Sequence, residues 1–329
     1  GTGTYESLMY GLEPGTVYYV RAYANSANVT EYGAELSFKT LEAWTRLPFT
    51  PQGTIYTMAA SETCIFLGTA NGILRSTDEG QTFVPVNNGL TAFNKSIYNI
   101  FVCGPGIFAS TEEGLFISTN NGDSWVEANN GLGINAVNNL AAVGTNIFAL
   151  TFSAGLFLST DNGNNWLPVN SSVFANTYLK GIAVNGTNIF VGQQFSGVFR
   201  SQDNGGSWTH FNQGLPSAPN ITAVVSKGPN VYVMNPGAGI FKSNDDGNTW
   251  AEANNGLDNM SVFALVQTGN NLVLATLGGE VFLSTDDAGS WMPVGSGLPA
   301  SSSSSPLLCV KGKYVFLASS QRLHKRLFE

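Results

Sequence analysis

The sequence predicts an all-β protein, a seven-bladed β-propeller of four-stranded antiparallel blades, and a repeated octet is the main reason. Six octets read STDEGQTF, STNNGDSW, STDNGNNW, SQDNGGSW, SNDDGNTW and STDDAGSW, starting at Ser76, Ser118, Ser159, Ser201, Ser243 and Ser284. Successive octets start 41 or 42 residues apart. A constant period of this length, with short apolar runs between turn residues, is the pattern of propeller blades.

The residues between octets predict four strands in each repeat. Each unit has two apolar runs, a glycine-containing loop, a short run such as GLFLS, the octet, and a strand that begins at the aromatic residue. Turn signals this closely spaced indicate an antiparallel meander. The 38 glycines and the low share of charged residues, 11%, suit short strands with tight turns, and no stretch predicts a helix.

The ends of the chain predict how the ring closes. After the sixth octet, residues 306–310, 314–318 and 323–327 align with the first three strands of a blade. The segment AWTRLPF at 43–49 matches a fourth strand, with Trp44 in the position of Trp166. We therefore expect a seventh blade that joins both ends of the sequence and leaves no open sheet edge.

The octet itself is expected to be a turn between the third and fourth strands. Its Asp and its Ser or Thr hydroxyls can accept backbone N–H groups, and its Gly permits the turn dihedrals. The pattern resembles the Asp-box, or BNR, repeat of sialidases, sortilin-like receptors, xyloglucanases and photosystem assembly factors, over about residues 42–329. Four positions depart from that repeat: Phe83, Asn120, Asn165 and Ala288.

A calcium site is the alternative interpretation of the octets, because SNDDGNTW looks like the start of an EF-hand loop. The Glu at the twelfth position of such a loop is missing, so we expect turns, with no metal and no cofactor. The expected structural residues are Ser76, Asp78, Gly80, Phe83, Ser118, Asn120, Gly122, Trp125, Ser159, Asp161, Gly163, Trp166, Ser201, Asp203, Gly205, Trp208, Ser243, Asp245, Gly247, Trp250, Ser284, Asp286 and Trp291.

The first forty residues lack the period. LEPGTVYYVRAYANS, with Tyr18 after LEPGT, resembles the Leu-x-Pro-Gly-Thr-x-Tyr corner of fibronectin type III domains, and YGAELSFKT resembles their last strand. The resemblance implies two domains: a partial fibronectin type III-like domain at 1–41, with about its last three strands, and the propeller at 42–329. This combination is similar to secreted multidomain proteins of bacteria, which implies an extracellular or cell-surface location.

Composition excludes some partners. The chain has 14 basic and 22 acidic residues, and no basic cluster except at its C-terminal end, so we expect no nucleic-acid partner. Its apolar runs fall short of the roughly 18 residues of a membrane-spanning helix. Cys64, Cys103 and Cys309 stand in or beside apolar strands without metal-ligand spacing, so we expect buried free thiols.

Propeller geometry indicates where a ligand is expected. Loops between blades, and loops between second and third strands, share the face opposite the octets. On this face the sequence places Phe93, Asn94, Lys95, Glu112, Glu113, Tyr178, Gln193, Gln194, Phe195, Asn220, Asp258 and Glu280. The leading hypothesis is a non-catalytic propeller that binds a protein or a glycan there, and a spacer without a ligand is a further possibility.

A glycoside hydrolase similar to sialidases or xyloglucanases is the alternative function. Such an enzyme usually needs two carboxylates across its substrate, and Glu112 with Glu280 or Asp258 are the available acids. TRLP at 45–48 resembles the Arg-Ile-Pro motif of sialidases, but it also aligns with a structural strand. We expect structural roles for His210 and His324, and we assign no catalytic residue.

Overall fold

The protein folds into seven four-stranded antiparallel sheets and one separate two-stranded hairpin. The structure is a computed structural model that describes residues 9, 11–26, 29–90, 96–103, 106–133, 136–169, 171–174, 178–299, 305–319 and 322–328. The predicted all-β, seven-bladed propeller of four-stranded antiparallel blades is confirmed.

The N-terminal hairpin and the first three blades follow one another along the chain. The hairpin consists of β1 (Val17–Asn25) and β2 (Thr30–Lys39), and β3 (Thr45–Arg46) comes next. Blade 1 consists of β4 (Ile55–Ala60), β5 (Ile65–Thr69), β6 (Gly72–Ser76) and β7 (Val84–Pro85). Blade 2 consists of β8 (Asn99–Cys103), β9 (Gly106–Thr111), β10 (Gly114–Ser118) and β11 (Val126–Glu127). Blade 3 consists of β12 (Val137–Val143), β13 (Asn146–Thr151), β14 (Leu156–Ser159) and β15 (Leu167–Pro168).

A short helix, α1 (Ser171–Phe174), separates blade 3 from the remaining blades. Blades 4 to 6 consist of β16 (Leu179–Asn185), β17 (Asn188–Gln193), β18 (Gly197–Ser201) and β19 (Thr209–His210); β20 (Ala223–Lys227), β21 (Asn230–Asn235), β22 (Gly239–Ser243) and β23 (Ala251–Glu252); and β24 (Val262–Thr268), β25 (Asn271–Thr276), β26 (Val281–Ser284) and β27 (Met292–Pro293). Blade 7 contains β28 (Leu307–Lys311), β29 (Tyr314–Ser319) and β30 (Arg322–Leu327).

The fourth strand of blade 7 comes from the N-terminal part of the chain, because β3 pairs antiparallel with β30. The Leu47 N–H donates to the Leu323 carbonyl at 2.8 Å. Trp44 is only 3% exposed, and its indole N–H donates to the Val294 carbonyl of blade 6 at 2.9 Å. The predicted ring closure is confirmed.

The first strand of each blade is the innermost one. The strands β4, β8, β12, β16, β20, β24 and β28 each contact the first strands of both neighbouring blades, so they form a closed circle around the central axis. The fourth strands lie at the rim and are two residues long. Such short edges offer little backbone for pairing with another chain.

The hydrophobic core lies between the blades. In one cluster, Phe108 and Leu115 of blade 2 pack with Phe157 and Trp166 of blade 3. Six further clusters form in the same way around the ring. The three cysteines are free and buried, as predicted, and burial raises the pKa of the Cys309 thiol to about 12.

A tight glycine turn follows the fourth strand of blades 1, 2, 4, 5 and 6 and connects each of them to the next blade. The Trp166 N–H donates to the Asn130 carbonyl at 2.8 Å, beside Gly131. A Cβ atom on Gly131 would lie 2.0 Å from the Trp166 carbonyl oxygen, so no larger residue fits without moving the blades apart. The same contact recurs at Gly89, Gly214, Gly256 and Gly297.

The junction between blades 3 and 4 departs from this pattern. NSSVF at 170–174 stands where other blades have NNGL-like turns, and the chain forms α1 there. The prediction of no helix is therefore wrong at this turn, since the glycine that permits the tight turn is missing. The Trp208 indole N–H donates to Gly205 of its own octet at 3.1 Å, and its ring packs edge-on against Phe174.

The N-terminal hairpin has one apolar face. The register pairs Tyr18 with Phe38 and Val20 with Leu36, and Leu36 is 68% exposed. The Glu13 N–H donates to the Tyr18 hydroxyl oxygen at 2.7 Å. The described part of this segment contains two strands, fewer than the three expected.

Candidate functional site

The two faces of the ring carry different loops. In blades 1 to 6, which contain the octets, the four strands are antiparallel and sequential, so the octets share one face with the hairpins between first and second strands. We call it the octet face. The loops between second and third strands, and the connections between blades, lie on the opposite face, which we call the upper face.

Each octet is a closed network of hydrogen bonds. In blade 4, the Ser201 hydroxyl donates to Asp203 and accepts the Gly205 N–H, both at 2.8 Å. The Asp203 carboxylate also accepts the Ser207 N–H at 2.8 Å and the Ser207 hydroxyl at 2.6 Å. Both carboxylate oxygens are thus used inside the turn, and the same bonds from the first Ser recur in the other five octets.

The octet glycine also receives a ring from the preceding blade. A Cβ atom on Gly163 would lie 2.7 Å from the Phe108 ring, and one on Gly247 would lie 2.6 Å from the Phe190 ring. In blade 6, where Ala288 stands at a φ of 65°, the preceding blade presents Tyr232 instead. The octets therefore hold neighbouring blades together.

Cations that precede or oppose the octets add bonds between blades. Arg75 donates to the Asn121 carbonyl and to the Asp123 carboxylate of the next blade, each at 2.6 Å. Lys325 of blade 7 pairs with Glu79 of blade 1 at 3.0 Å. These acids serve the octet face as structural partners.

The octet carboxylates predict an acid-sensitive stability. Hydrogen bonds from the Ser290 hydroxyl, and then from its N–H, lower the pKa of Asp286 from 3.8 to about 2. The pKa of Asp78 and that of Asp203 also fall to about 2, for the same kind of reason. Because the unfolded chain binds more protons than the folded one between these values, we expect stability to fall as the pH falls from about 3.8 to about 2.

An Asp286→Asn variant tests this expectation. Asn120 accepts the Ser118 hydroxyl and the Ser124 N–H with its amide oxygen, so Asn can form the turn without titrating. Urea unfolding at several pH values should show a shallower loss of stability in the variant than in the original protein. Asp258→Asn, outside the octets, is the control, and equal slopes in the original protein and Asp286→Asn would contradict the prediction.

The upper face contains those predicted ligand-face residues that the structure describes. Tyr178 and Phe195 are 63% and 65% exposed. The Gln194 N–H donates to the Tyr178 carbonyl at 3.0 Å, and Gln194 forms an isolated bridge with Asn220. Gln193 is buried and pairs with Leu179 instead of facing solvent. The predicted residues Phe93, Asn94 and Lys95 lie outside the described residues.

The predicted acids of the upper face are exposed, and two are bound by groups of their own blade. Glu112 accepts the Tyr98 hydroxyl at 2.5 Å, a bond that raises the pKa of Tyr98. Glu280 accepts the Asn259 amide at 2.7 Å and the Thr276 hydroxyl at 2.8 Å. Glu113 and Asp258 are exposed on their loops. Glu112 and Glu280 belong to blades 2 and 6, and each is held within its own blade.

Sequence reasoning missed three exposed aromatic residues: Tyr56, Phe152 and Phe263. Tyr56 and Phe263 are the second residues of β4 and β24, and Phe152 lies in the loop after β13. Together with Tyr178 and Phe195, they are all the exposed phenylalanine, tyrosine and tryptophan side chains among the described residues from 42 onward, and all five lie on the upper face. An aromatic residue at a strand start or in a loop was the available signal.

The loops that carry these rings are held in place. The Phe152 N–H donates to the Ala136 carbonyl at 3.1 Å, and the Leu277 N–H donates to the Ser261 carbonyl at 2.8 Å. Phe195 has a φ of 66°, a left-handed conformation that is costly for a bulky residue. The exposed position of the Phe195 ring is therefore maintained at a cost in conformational energy.

The histidines lie away from these residues. His324, in the third strand of blade 7, is 2% exposed, and burial, with the charges of Arg46 and Arg322, lowers its pKa. His210 packs on Phe199 with ring centroids 4.4 Å apart. Among the described residues, no three His, Cys, Asp or Glu side chains meet as a metal-binding group. No helix in that part of the chain could span a membrane.

Comparison with known proteins agrees with this architecture. Residues 167–314, less than half of the chain, match the family described as DUF6242 beta propeller domain. The chain is a seven-bladed β-propeller. No curated protein sequence matches it.

Several solved structures are similar to the chain. YCF48 bound to D1 peptide is 18% identical with a TM-score of 0.65, over 88% of this chain and 98% of that chain. YCF48 from Cyanidioschyzon merolae is 13% identical with a TM-score of 0.63, over 87% and 98%. The GH74 enzyme of Niastella koreensis is 14% identical with a TM-score of 0.66, over 86% of this chain and 53% of that chain. At these identities the likeness shows the fold alone.

Proposed function

We propose that the propeller is a non-catalytic binding domain that holds a peptide segment of a partner protein on its upper face. The observation that carries this proposal is the segregation of the exposed aromatic side chains. All five of them, among the described propeller residues, lie on one face. Aromatic residues are enriched at protein interfaces, where they bury a large area at a small cost in conformational entropy.

The rigidity of the upper-face loops supports the proposal. Backbone hydrogen bonds hold the loops of Phe152 and Phe195. The left-handed backbone conformation of Phe195 costs energy, and exposure of its ring to solvent does not offset that cost. A ring that is already positioned loses little freedom when a partner binds, so its contact contributes more to affinity. On the octet face, by contrast, the octet carboxylates of residues such as Asp203 and Asp286 accept hydrogen bonds within their own turns.

A glycoside hydrolase is less well supported by the upper face. Hydrolysis requires two carboxylates that face one glycosidic bond. Glu112 and Glu280 are each bound by donors of their own blade. One structural neighbour has a bound peptide and another is a GH74 enzyme, and their likeness to this chain concerns the fold. Peptide binding is therefore our preferred function, and glycan binding is an outcome that its test can reveal.

We extend the proposal to the origin of the two domains and to their location. Residues 1–41 are proposed as the C-terminal part of a fibronectin type III-like domain, the octets at 42–329 as Asp-box repeats, and the location as extracellular or cell-surface. The bond from Glu13 to the Tyr18 hydroxyl and the apolar face of the hairpin support the first point. Faster hydrogen exchange of the Glu13 amide in Tyr18→Phe than in the original protein would support the fibronectin type III-like corner. Surface labelling of intact cells tests the proposed location.

Selection of a displayed library of random peptides for binding to the immobilised protein tests the binding function. We expect selected peptides to bind about ten-fold more weakly to Phe195→Ser and Tyr178→Ser, because the loss of an aromatic ring from such a contact costs about 1.4 kcal/mol. Val126→Ser and Leu167→Ser are matched controls, since both side chains are exposed but lie on outer strands. Calorimetry supplies the affinities.

Two results would refute the binding function. One is equal affinity in the upper-face variants and in the controls. The other is turnover of an aryl glycoside or a polysaccharide that is lost in Glu112→Gln or Glu280→Gln, which would establish a hydrolase.

A further inference from the structure

The innermost strands share an irregularity near their upper ends. In blade 3, Val137 pairs with Thr151, but the next pair is Asn139 with Leu150. Asn138 is therefore an extra residue that opposes no partner, which is a β-bulge. The corresponding extra residues of blades 1, 4 and 6 are Tyr56, Lys180 and Phe263.

Blades 2 and 5 have the same irregularity in their backbone bonds. The Tyr98 N–H donates to the Ser110 carbonyl at 2.9 Å, and Asn99 also pairs with Ser110. The Thr222 N–H donates to the Met234 carbonyl at 3.0 Å, and Ala223 also pairs with Met234. Six blades thus place two residues against one at the same point of the first strand.

The bulged residues face a different environment from their neighbours. The preceding residues Val137, Leu179 and Val262 are at most 1% exposed, within the clusters between blades. Tyr56 and Phe263 are 42% and 37% exposed, and the other four bulged residues are half-buried. Bulges commonly re-aim a side chain at a barrel rim or beside a binding site.

These six residues encircle the upper opening of the ring, because they stand at the upper ends of the innermost strands. We call them the mouth ring: Tyr56, Tyr98, Asn138, Lys180, Thr222 and Phe263. The rings of Tyr56 and Tyr98, from adjacent blades, have centroids 6.4 Å apart. The Asn138 amide donates to the Leu179 carbonyl of the next blade at 2.9 Å. Neighbouring blades therefore contact one another through this ring.

The mouth ring has two chemically different halves. Its aromatic members Phe263, Tyr56 and Tyr98 belong to blades 6, 1 and 2. Its polar members belong to blades 3, 4 and 5, and Asn138 and Thr222 each donate to a backbone carbonyl. Lys180 forms no ion pair with the described residues.

The charge of Lys180 distinguishes between ligands. Lys180 is half-buried and is the one charged member of the mouth ring, whereas Glu113 and Asp258 are exposed on their loops. A carboxylate placed close to Lys180 would be attracted by its charge and would form an ion pair that no described residue supplies. Glu112 and Glu280 keep their negative charge, but hydrogen bonds from neutral donors hold each of them within its own blade. The charge of Lys180 therefore favours a carboxylate of the ligand at this one position of the opening.

We propose that the mouth ring recognises an acidic peptide segment of the partner protein. A carboxylate of the segment pairs with Lys180, and a neighbouring apolar side chain packs on the aromatic half of the ring. This inference rests on the proposed binding function of the upper face and adds the chemical class of the segment. The bulges supply the geometry, since they place both halves around one opening.

Two matched pools of random peptides test the inference. One pool contains Asp and Glu, and in the other pool Asn and Gln replace them. We expect the original protein to enrich acidic peptides about ten-fold over their neutral counterparts, and Lys180→Gln to remove that preference. Lys313→Gln is the matched control, because Lys313 is an exposed cation at the octet face. Phe263→Ser should reduce the enrichment of apolar residues beside the acid.

The outcomes separate this inference from the proposed function. Loss of the acidic preference in Lys180→Gln alone, with thermal unfolding unchanged, supports the inference. An unchanged preference in Lys180→Gln, or a preference of the original protein for neutral or basic peptides, overturns it and leaves upper-face binding intact. Failure to enrich any peptide overturns both.

Discussion

A Gly214→Ala variant is expected to lose about 3 kcal/mol or more of unfolding free energy, although it adds a single methyl group. Gly214 has a φ of 95°, and its Cβ would lie 1.9 Å from the Trp250 carbonyl oxygen. Backbone cannot yield as a flexible side chain can. Relief of the overlap must therefore move blade 4 away from blade 5, which breaks the contacts of Trp250 as well.

Gly228→Ala separates this overlap from the cost of the dihedral. Gly228 also has a positive φ, 55°, but a Cβ there would meet no atom within 4 Å. We expect that variant to lose about 1 kcal/mol, the ordinary cost of a left-handed alanine. Urea unfolding followed by tryptophan fluorescence measures both. Equal losses in the two variants would show that the close approach between blades is unimportant.

The second large effect is expected at the ring closure, where Trp44→Ala should cost about 3–5 kcal/mol. Trp44 is 3% exposed, donates to Val294 of blade 6, and packs edge-on against Phe328 with centroids 6.1 Å apart. Its removal leaves a cavity at the junction where both parts of the chain meet, and β3 provides only two paired residues to hold it.

Trp208→Ala is the matched comparison, because it removes the same side chain from a different setting. Trp208 is half-buried and donates to Gly205 of its own octet instead of to the preceding blade. We therefore expect a smaller loss than for Trp44→Ala. Calorimetry and limited proteolysis report the difference, since cleavage near 42–49 should accelerate in Trp44→Ala alone. An equal or larger loss in Trp208→Ala would contradict the assignment of Trp44 as the closing residue.

The blade number and the closure were predictable because both depend on local backbone requirements. The octet needs a Ser, an acceptor and a small residue at fixed positions, so its period appears in the sequence even without the fold. Trp44 was recognisable because it occupies the position of Trp166, where the aromatic residue donates to the preceding blade. The helical turn at 171–174 also left a signal, the missing glycine, which the octet pattern does not report.

The candidate binding residues were harder to predict because they depend on strand register. A bulge at Lys180 or Phe263 arises from pairing with the second strand, and neither residue differs in type from an ordinary loop or strand residue. Gln193 shows the opposite error: its place beside a loop indicated exposure, but pairing with Leu179 buries it. The pairing register decides which way each side chain points, and a single sequence does not reveal the register.

The closing strand has a consequence for the order of assembly. Trp44 and its acceptor Val294 are 250 residues apart in the sequence, so β3 leaves the ribosome long before its partners exist. A contact that closes so long a loop forms late in folding, because the entropy of loop closure is lost before the contact can stabilise the chain. During translation the ring of blades therefore stays open. We expect Trp44 to remain accessible to chaperones and proteases until β30 has been synthesised.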